Sequence, residues 1–493
     1  MRNFSSSALV VSFFFLFLLS SKETHCSSLR NSKLYYELKL QHKTSFAVSN
    51  SSKSNGSRVF YPIGYGADPT GAQDSTNAIL DALNDAVRLQ NGINHLLPGI
   101  TDLGGVIIDL EGGNFKISNP IRFPPGFGNI VVQGGTLRAT NTFPVDRHLI
   151  ELWAPNSPKL TNTKVVVTNT FSNTRKDFNN GMQYEDIIFQ DILFDSSYQG
   201  GGLLIIDSAR IRVNNCFFLH FSTQGILVQR GHETFISDSF LGQHPTVGGD
   251  HDEKSYTGTA IDIASTDNAV TDVAIFSAAI GIILRGNANI VTGVHCYNKA
   301  TYFGGVGILV KSGQNRIVDS YLDFNSVVIE DPNQVHVSNG FFLGDGNIVL
   351  KSIQGRITGL NIANNVFSGE PKNMVPCVKL DGEFKNIDQV VIDGNVVNGM
   401  RLKSTVGKLA VAGNGTKWVA DFGSVLLFPD KINHFQYSFY VRGGGGGGIG
   451  SGLLVHAVTN VSNNVVVIES KETVDAVVSV FVDQFNMVGE GNV

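Results

Sequence analysis

The chain has 493 residues, with 54 glycines, 14 prolines, 42% apolar and 16% charged content, and a formal net charge of −5. That charge supplies no basic field for phosphates, and neither a lysine-rich run nor a zinc-spaced Cys/His cluster occurs, which argues against nucleic acid as a partner. Four cysteines, Cys26, Cys216, Cys296 and Cys377, are too few for a disulfide scaffold, so the core must hold itself together.

At the N-terminus Arg2 precedes the apolar run from Ala8 to Leu19 and the small residues Ser20 and Ser21, the layout of a secretory signal. The run is too short to span a bilayer. We therefore expect export, with a signal and cleavage region over 1–26. Residues 27–57 are rich in Ser, Asn and Lys without apolar periodicity, which predicts a flexible leader and order from about Val59. Asn50, Asn55, Asn414 and Asn460 each open an Asn-x-Ser/Thr sequon, consistent with surface glycosylation of an exported chain.

The stretch from Tyr65 to Asn77 begins with turn residues and then supplies capping residues for a helix over 78–88, in which Ile79, Leu80, Leu83 and Val87 recur at helical spacing. Short β-branched runs follow at Gly105-Val-Ile-Ile-Asp-Leu, Asn114-Phe-Lys-Ile-Ser and Asn129-Ile-Val-Val-Gln.

From about 184 to 403 one pattern returns: a small residue, then apolar, any, apolar, any. It starts at Gly202, Gly225, Ala260, Gly281, Gly307, Ser326, Asn347, Cys377 and Gly399, at intervals of 19 to 35 residues. Such a period marks a solenoid. Between these strands lie others, such as Ile211-Arg-Val-Asn-Asn-Cys and Arg316-Ile-Val-Asp-Ser, with Asn or Asp at the following corner. Asn tolerates the left-handed backbone of a tight corner, and stacked Asn side chains can bond along the axis. The predicted fold is all-β, a parallel β-helix over 58–403, wound right-handed as parallel crossovers are. A small β-rich region over 404–493 covers its open end. In that region Ser424-Val-Leu-Leu-Phe and Asn464-Val-Val-Val-Ile-Glu read as strands, and 443–452 as a Gly-rich loop.

If the first apolar residue after each small one points inward, the second and fourth positions after it point outward and stack into ladders. One ladder reads Ile206, Gln229, Ala264, Arg285, Lys311, Glu330, Lys351, Asp381, Lys403. The other reads Leu204, Leu227, Asp262, Ile283, Leu309, Val328, Val349, Lys379, Arg401. Arg285, Lys311 and Lys351 would form a track for an acidic polymer, with Asp262 an isolated acid beside it, catalytic or simply paired with Arg285.

The longest interval has its surplus in the stretch from Gly242 to Tyr256, where His244, Asp250, His251, Asp252, Glu253, Lys254 and Tyr256 crowd together. Sugar-bond hydrolysis needs one protonated carboxyl and a second carboxylate. Asp250, Asp252 or Glu253 with Asp262 would supply both, the favoured reading, with a weak calcium site or a merely hydrated loop as the alternatives. Asp272 and Asp319 fall on other strands, Asp345 in a turn, and His295-Cys296 reads as packed strand rather than a nucleophilic pair.

The opening from Tyr65 to Ile79, with Gly104-Gly-Val-Ile-Ile-Asp-Leu and Phe115-Lys-Ile-Ser, resembles pectate-lyase-superfamily β-helix proteins. Gly248-Gly-Asp-His-Asp-Glu, Asp267-Asn-Ala-Val-Thr-Asp, Gly293-Val-His-Cys-Tyr-Asn-Lys-Ala-Thr and Leu426-Leu-Phe-Pro-Asp-Lys-Ile-Asn-His resemble the plant quartet-type polygalacturonases. The resemblance spans about residue 58 to the end. It implies a cell-wall enzyme that hydrolyses α-1,4 galacturonosyl bonds of de-esterified pectin, a family associated with separating pollen tetrads. The Asn-Thr-Asp, Asp-Asp, Gly-His-Gly and Arg-Ile-Lys strings of ordinary polygalacturonases do not occur, so no catalytic position transfers from them. On this reading Asp250, Asp252, Glu253 and Asp262 are the candidate catalytic residues, and Arg285, Lys311, Lys351 and His251 the candidate substrate-binding ones. The expected partner is pectin, with no cofactor, no metal, no membrane once the signal is removed, and a monomeric chain. A calcium-dependent pectate lyase and a non-catalytic pectin-binding protein remain the alternatives.

Overall fold

The computed structural model describes residues 58–89, 96–155, 157, 181–243, 258–297, 305–442 and 453–485. The chain winds into a parallel β-helix of three sheets. The first sheet stacks Ile121–Arg122, His148–Leu152, the first halves of Gly201–Asn214 and Gln224–Ser237, then Thr259–Thr266, Ile280–Leu284, Gly305–Val310, Asn325–Glu330, Ile348–Lys351 and Val378–Asp381. The second runs from Val59–Phe60 to Asn386–Asp393, and the third from Asn114–Ile117 to Val396–Asn398.

Strict alternation sets this winding. Leu203, Ile226, Ile261, Ile282, Ile308, Val327, Ile348 and Val378 occupy successive rungs of one inward column and are buried. Each such side chain contributes on the order of 1.5–3 kcal/mol by leaving water. Aromatic rings stack the same way inside the third sheet, with Phe194 on Phe218 at 4.5 Å and Phe342 on Phe367 at 4.6 Å.

The corners carry the polar part of the code. Between second and third sheets one residue per coil adopts a left-handed backbone: Gly134, Asp191, Asn215, Asp238, Asp272, Gly293, Asp319, Asn339, Asn364 and Gly394, with φ between 48° and 69°. Short polar side chains and glycine tolerate that conformation best. Asp272 and Asp319 are therefore corner residues rather than strand residues. At the corner between first and second sheets, before the second-sheet strands rather than after them where the sequence placed it, the buried Asn268, Asn289 and Asn315 form an asparagine ladder. The Asn268 amide donates to Asn289 Oδ1 at 2.8 Å, and the Asn289 backbone N–H to Asn315 Oδ1 at 2.9 Å.

Both ends of the solenoid are plugged. Helix α1, Thr76–Val87, turns Ile79, Leu83 and Ala86 into the solenoid core against the first coil. Its N-cap Ser75 makes no side-chain cap; Ser75 Oγ accepts instead from the Asp68 N–H, while Asp74 takes the Thr76 N–H at 3.1 Å. At the other end Leu427 and Phe428 insert into the same core. The run Ser424-Val-Leu-Leu-Phe is thus a turn with one isolated bridge, not the strand its apolar content suggested, because its side chains cap the open coil. Beyond it, Val406–Asp421, His434–Val441, His456–Ser462 and Val465–Asp483 form an antiparallel sheet that folds around its own core of Trp418, Ile468, Val478 and Val480.

Replacing Asp319 with Ala should cost about 1–2 kcal/mol while Asp319→Gly is tolerated, and Asn289→Ala should cost about 1–3 kcal/mol through its lost buried bonds; denaturant titration reads both. His148 supplies a pH test. Burial holds its pKa down at about 4, against 6.5 for a free imidazole, with the Glu151 carboxylate opposing. The unfolded chain protonates first as pH falls through 6.5, so stability present above that pH is lost down to about 4, by roughly 3 kcal/mol at most. His148→Gln should flatten this slope in unfolding titrations run from pH 7.5 to 4.5.

Candidate functional site

The outer face of the first sheet carries the ladders read from the sequence. Register pairs Leu204, Leu227, Asp262, Ile283, Leu309, Val328, Val349 and Lys379 in one column. Arg285 and Lys311 follow their strands on adjacent rungs, and Glu330 pairs with Lys351. Only the last rung departs. Gly399 is a left-handed corner residue against the Gly369 carbonyl, and Arg401 pairs with Pro376, so Arg401 and Lys403 do not extend the columns past Lys379 and Asp381.

The cations are not free. Arg285 grips Asp262 with both arms, Nε to Oδ1 at 2.8 Å and Nη2 to Oδ2 at 3.0 Å. Lys311 and Lys351 flank Glu330 at 3.4 and 3.3 Å. The pairs are layered, however: the side chains of Arg285, Lys311 and Lys351 are 33%, 35% and 42% exposed, those of Asp262 and Glu330 only 6% and 16%. Cations face solvent with acids beneath them. Asp262 is thus a buried, bidentately held carboxylate, not a solvated one.

The face extends further upstream than the sequence pattern reached. Register places Glu151 on the rung before Leu204, and Arg122 before that. Glu151 is fully buried and receives Arg147 and, at 3.2 Å, Arg122; both guanidinium groups lie over the Trp153 ring. The small-residue repeat begins at Gly202 because the matching position one coil earlier is Leu149, which is not small; the outward Glu151 between the apolar Ile150 and Leu152 is the sequence signal that extends the face upstream. Leu204, Ile206 and Leu227 lie between the two acids as a separate apolar cluster with Trp153.

A second group was missed because it comes together only across coils. Asp195 accepts from His220 Nδ1 at 2.9 Å, Arg138 Nε at 3.0 Å and the Ser197 N–H at 3.0 Å. Burial pushes its carboxyl up, but the bonds from His220 and Ser197 and the positive charges of His220 and Arg138 outweigh that and hold it below the usual carboxylate range. Tyr198 packs on the His220 ring of the next coil and bonds Gln243, two coils on, at 3.0 Å.

Carboxyl separation limits the chemistry. Asp262 is three rungs from Glu151 and three from the rung of Glu330, about 14 Å at ordinary strand spacing. Two-acid glycosidases need about 5–5.5 Å or 6.5–9.5 Å. Within these described ladders, then, Asp262 has no carboxylate mate. Asp250, His251, Asp252 and Glu253 lie outside the described residues. Cys296 points inward, its thiol pushed up to about 12 by burial, while His295 faces out onto Tyr321, so the two do not form a reactive pair. Asp345 braces a turn by accepting from the Glu370 N–H and the Asn373 amide. Among the described residues no group of three or more metal-ligating side chains converges.

Arg285→Gln should strand Asp262 and cost about 1–3 kcal/mol, less than a fully buried pair because Arg285 is partly solvated. The double variant Asp262→Asn/Arg285→Gln should recover part of that loss, and additive losses in unfolding titrations would contradict coupling between the two.

No family model matches the chain. Polygalacturonase QRT3 of Arabidopsis thaliana is 49% identical over 441 residues, covering 87% of this chain and 85% of that protein. Among solved structures, a tailspike protein of E. coli bacteriophage HK620 in complex with a hexasaccharide aligns at 8% identity and a TM-score of 0.46, over 87% of this chain and 93% of that one. ORF18 of Geobacillus virus E2 aligns at 12% identity and the same TM-score, over 85% and 77%. The strand pairing itself establishes the β-helix, and the sequence identity establishes the kinship: the chain belongs to the quartet-type polygalacturonase family.

Proposed function

We propose that the chain is a secreted cell-wall glycoside hydrolase that binds de-esterified pectin along the outer face of the first sheet and cleaves its α-1,4 galacturonosyl bonds, in the service of wall remodelling such as pollen tetrad separation. The observation that carries this reading is the row Arg285, Lys311, Lys351, partly exposed above the more deeply set Asp262 and Glu330, with the cations on three of four successive rungs of one rigid face and Glu330 on the rung between the two lysines. Rungs about 4.8 Å apart give a polyuronate repeated charge contacts with little rearrangement. Kinship with a polygalacturonase supplies the reaction class.

In this scheme Asp262, with both oxygens held by Arg285, is the fixed carboxylate that activates water or attacks the sugar. The proton donor comes from Asp250, Asp252 or Glu253, on the segment that immediately precedes the Asp262 strand. His251 joins the substrate-binding set.

Release of reducing ends from polygalacturonate is the direct assay. Asp262→Asn should lower kcat by about 10²- to 10⁴-fold, whereas Lys311→Ala and Lys351→Ala should raise KM more than they lower kcat. An unsaturated, ultraviolet-absorbing product abolished by a chelator would replace hydrolysis with lyase chemistry, and binding without any cleavage would make the chain a pectin-binding protein.

A further inference from the structure

The outer face of the C-terminal sheet holds an unexplained depression. There the strands Val406–Asp421, Val465–Asp483 and His434–Val441 lie side by side, and register aligns their outward residues in rows. Lys408, Phe481 and Gln436 form one row, Ala410, Ser479 and Ser438 the next, and Ala412, Val477 and Tyr440 the third. The opposite face of the same strands buries Val478, Val480 and Val482 in the local core, so the rows face solvent.

The middle row contains only small side chains. With rows about 6.8 Å apart and strands about 4.8 Å apart, it forms a trough about 10 Å long across the sheet, walled on one side by Phe481 and on the other by Tyr440. Tyr440 is 68% exposed. A shallow, open depression of about 500 Å³ lies over this floor, and Lys408 and Phe481 also line a larger one of about 720 Å³, between the sheet and the last coil of the solenoid. Both volumes suit a small ligand or a short length of polymer.

The chemistry of the trough is selective. Its floor offers the Ser438 and Ser479 hydroxyls, its rim the Gln436 amide, and its one charge is Lys408, whose ammonium lies 5.7 Å from the Phe481 ring. Among the described residues no carboxylate comes within ion-pair distance of Lys408, whereas Lys417 and Arg442 elsewhere in the sheet are each paired with an acid. A small hydroxyl floor admits a pyranose ring, an aromatic wall packs on its C–H face, and an unpaired ammonium draws a carboxylate.

We propose that this trough is a second, non-catalytic sugar-binding site that holds a uronate unit of the acidic polysaccharide away from the first-sheet groove. The inference rests on the reading of the substrate as a polyuronate, and its effect is to retain the protein on long polymer. In the full-length chain, Ser479→Trp, which fills the floor, and Lys408→Glu should each lower affinity for immobilised polygalacturonate about tenfold, the loss of one charge-assisted contact. Hydrolysis of a galacturonate trimer should stay unchanged, and Lys408→Arg should restore retention. Both substitutions are on exposed strand positions, and an unchanged unfolding transition verifies the fold. Retention of both variants equal to wild type, or a wild type that polygalacturonate does not retain, would overturn the site. Lys408-dependent retention without any release of reducing ends would leave the site standing and remove the hydrolase reading instead.

Discussion

The structure depends on one backbone state repeated from coil to coil. At the corners between second and third sheets from Gly134 to Gly394 a single residue per coil, Asp, Asn or Gly, turns left-handed and bends the chain from one sheet into the next. Because every coil turns at the same place, the following strands fall into parallel register, and a column such as Ile226, Ile261, Ile282 and Ile308 stays in line. A coil that turned one residue early would send its apolar set to the surface. The Asn268–Asn289–Asn315 ladder secures the neighbouring corner by satisfying buried backbone N–H groups that no strand can pair.

Alternation that fills the interior also builds the outer face, and so the candidate site is a by-product of the core. Any residue two positions from an outward one joins it on the same face, and rung spacing then fixes which charges can meet. Arg285 reaches Asp262 on the adjacent strand, and Lys311 and Lys351 converge on Glu330 between them. The acids sink against the sheet while the long basic side chains carry their charge outward over them, as flexible aliphatic stems permit. The face therefore presents its cations to solvent although it contains nearly as many acids as bases.

A solenoid must also end. Helix α1 closes the first coil with Ile79, Leu83 and Ala86, and Leu427 with Phe428 closes the last, so neither end leaves the apolar interior open. The antiparallel sheet beyond Phe428 has its own core, which frees its outer face to hold a trough unrelated to the winding.

Much of this was written in the sequence. The small-apolar-any-apolar repeat located the first-sheet strands and ordered both outward ladders as far as Lys379, because a period of two has only one consistent inward set. The Asn and Asp corners were legible for a similar reason, since few residues accept a left-handed backbone. Three things were decided only in space. Gly399 matched the repeat yet serves a corner, as glycine suits both. Glu151 escaped the repeat because Leu149 is not small, and His220 met Asp195 across coils of unequal length. The pairing of Arg285 with Asp262, and of two lysines with Glu330, required side-chain reach as well as register. Sequence periodicity thus determined which residues face outward, whereas burial and ion pairing between rungs decided what those residues can do, because charge interaction depends on distance and solvent access that periodicity does not encode.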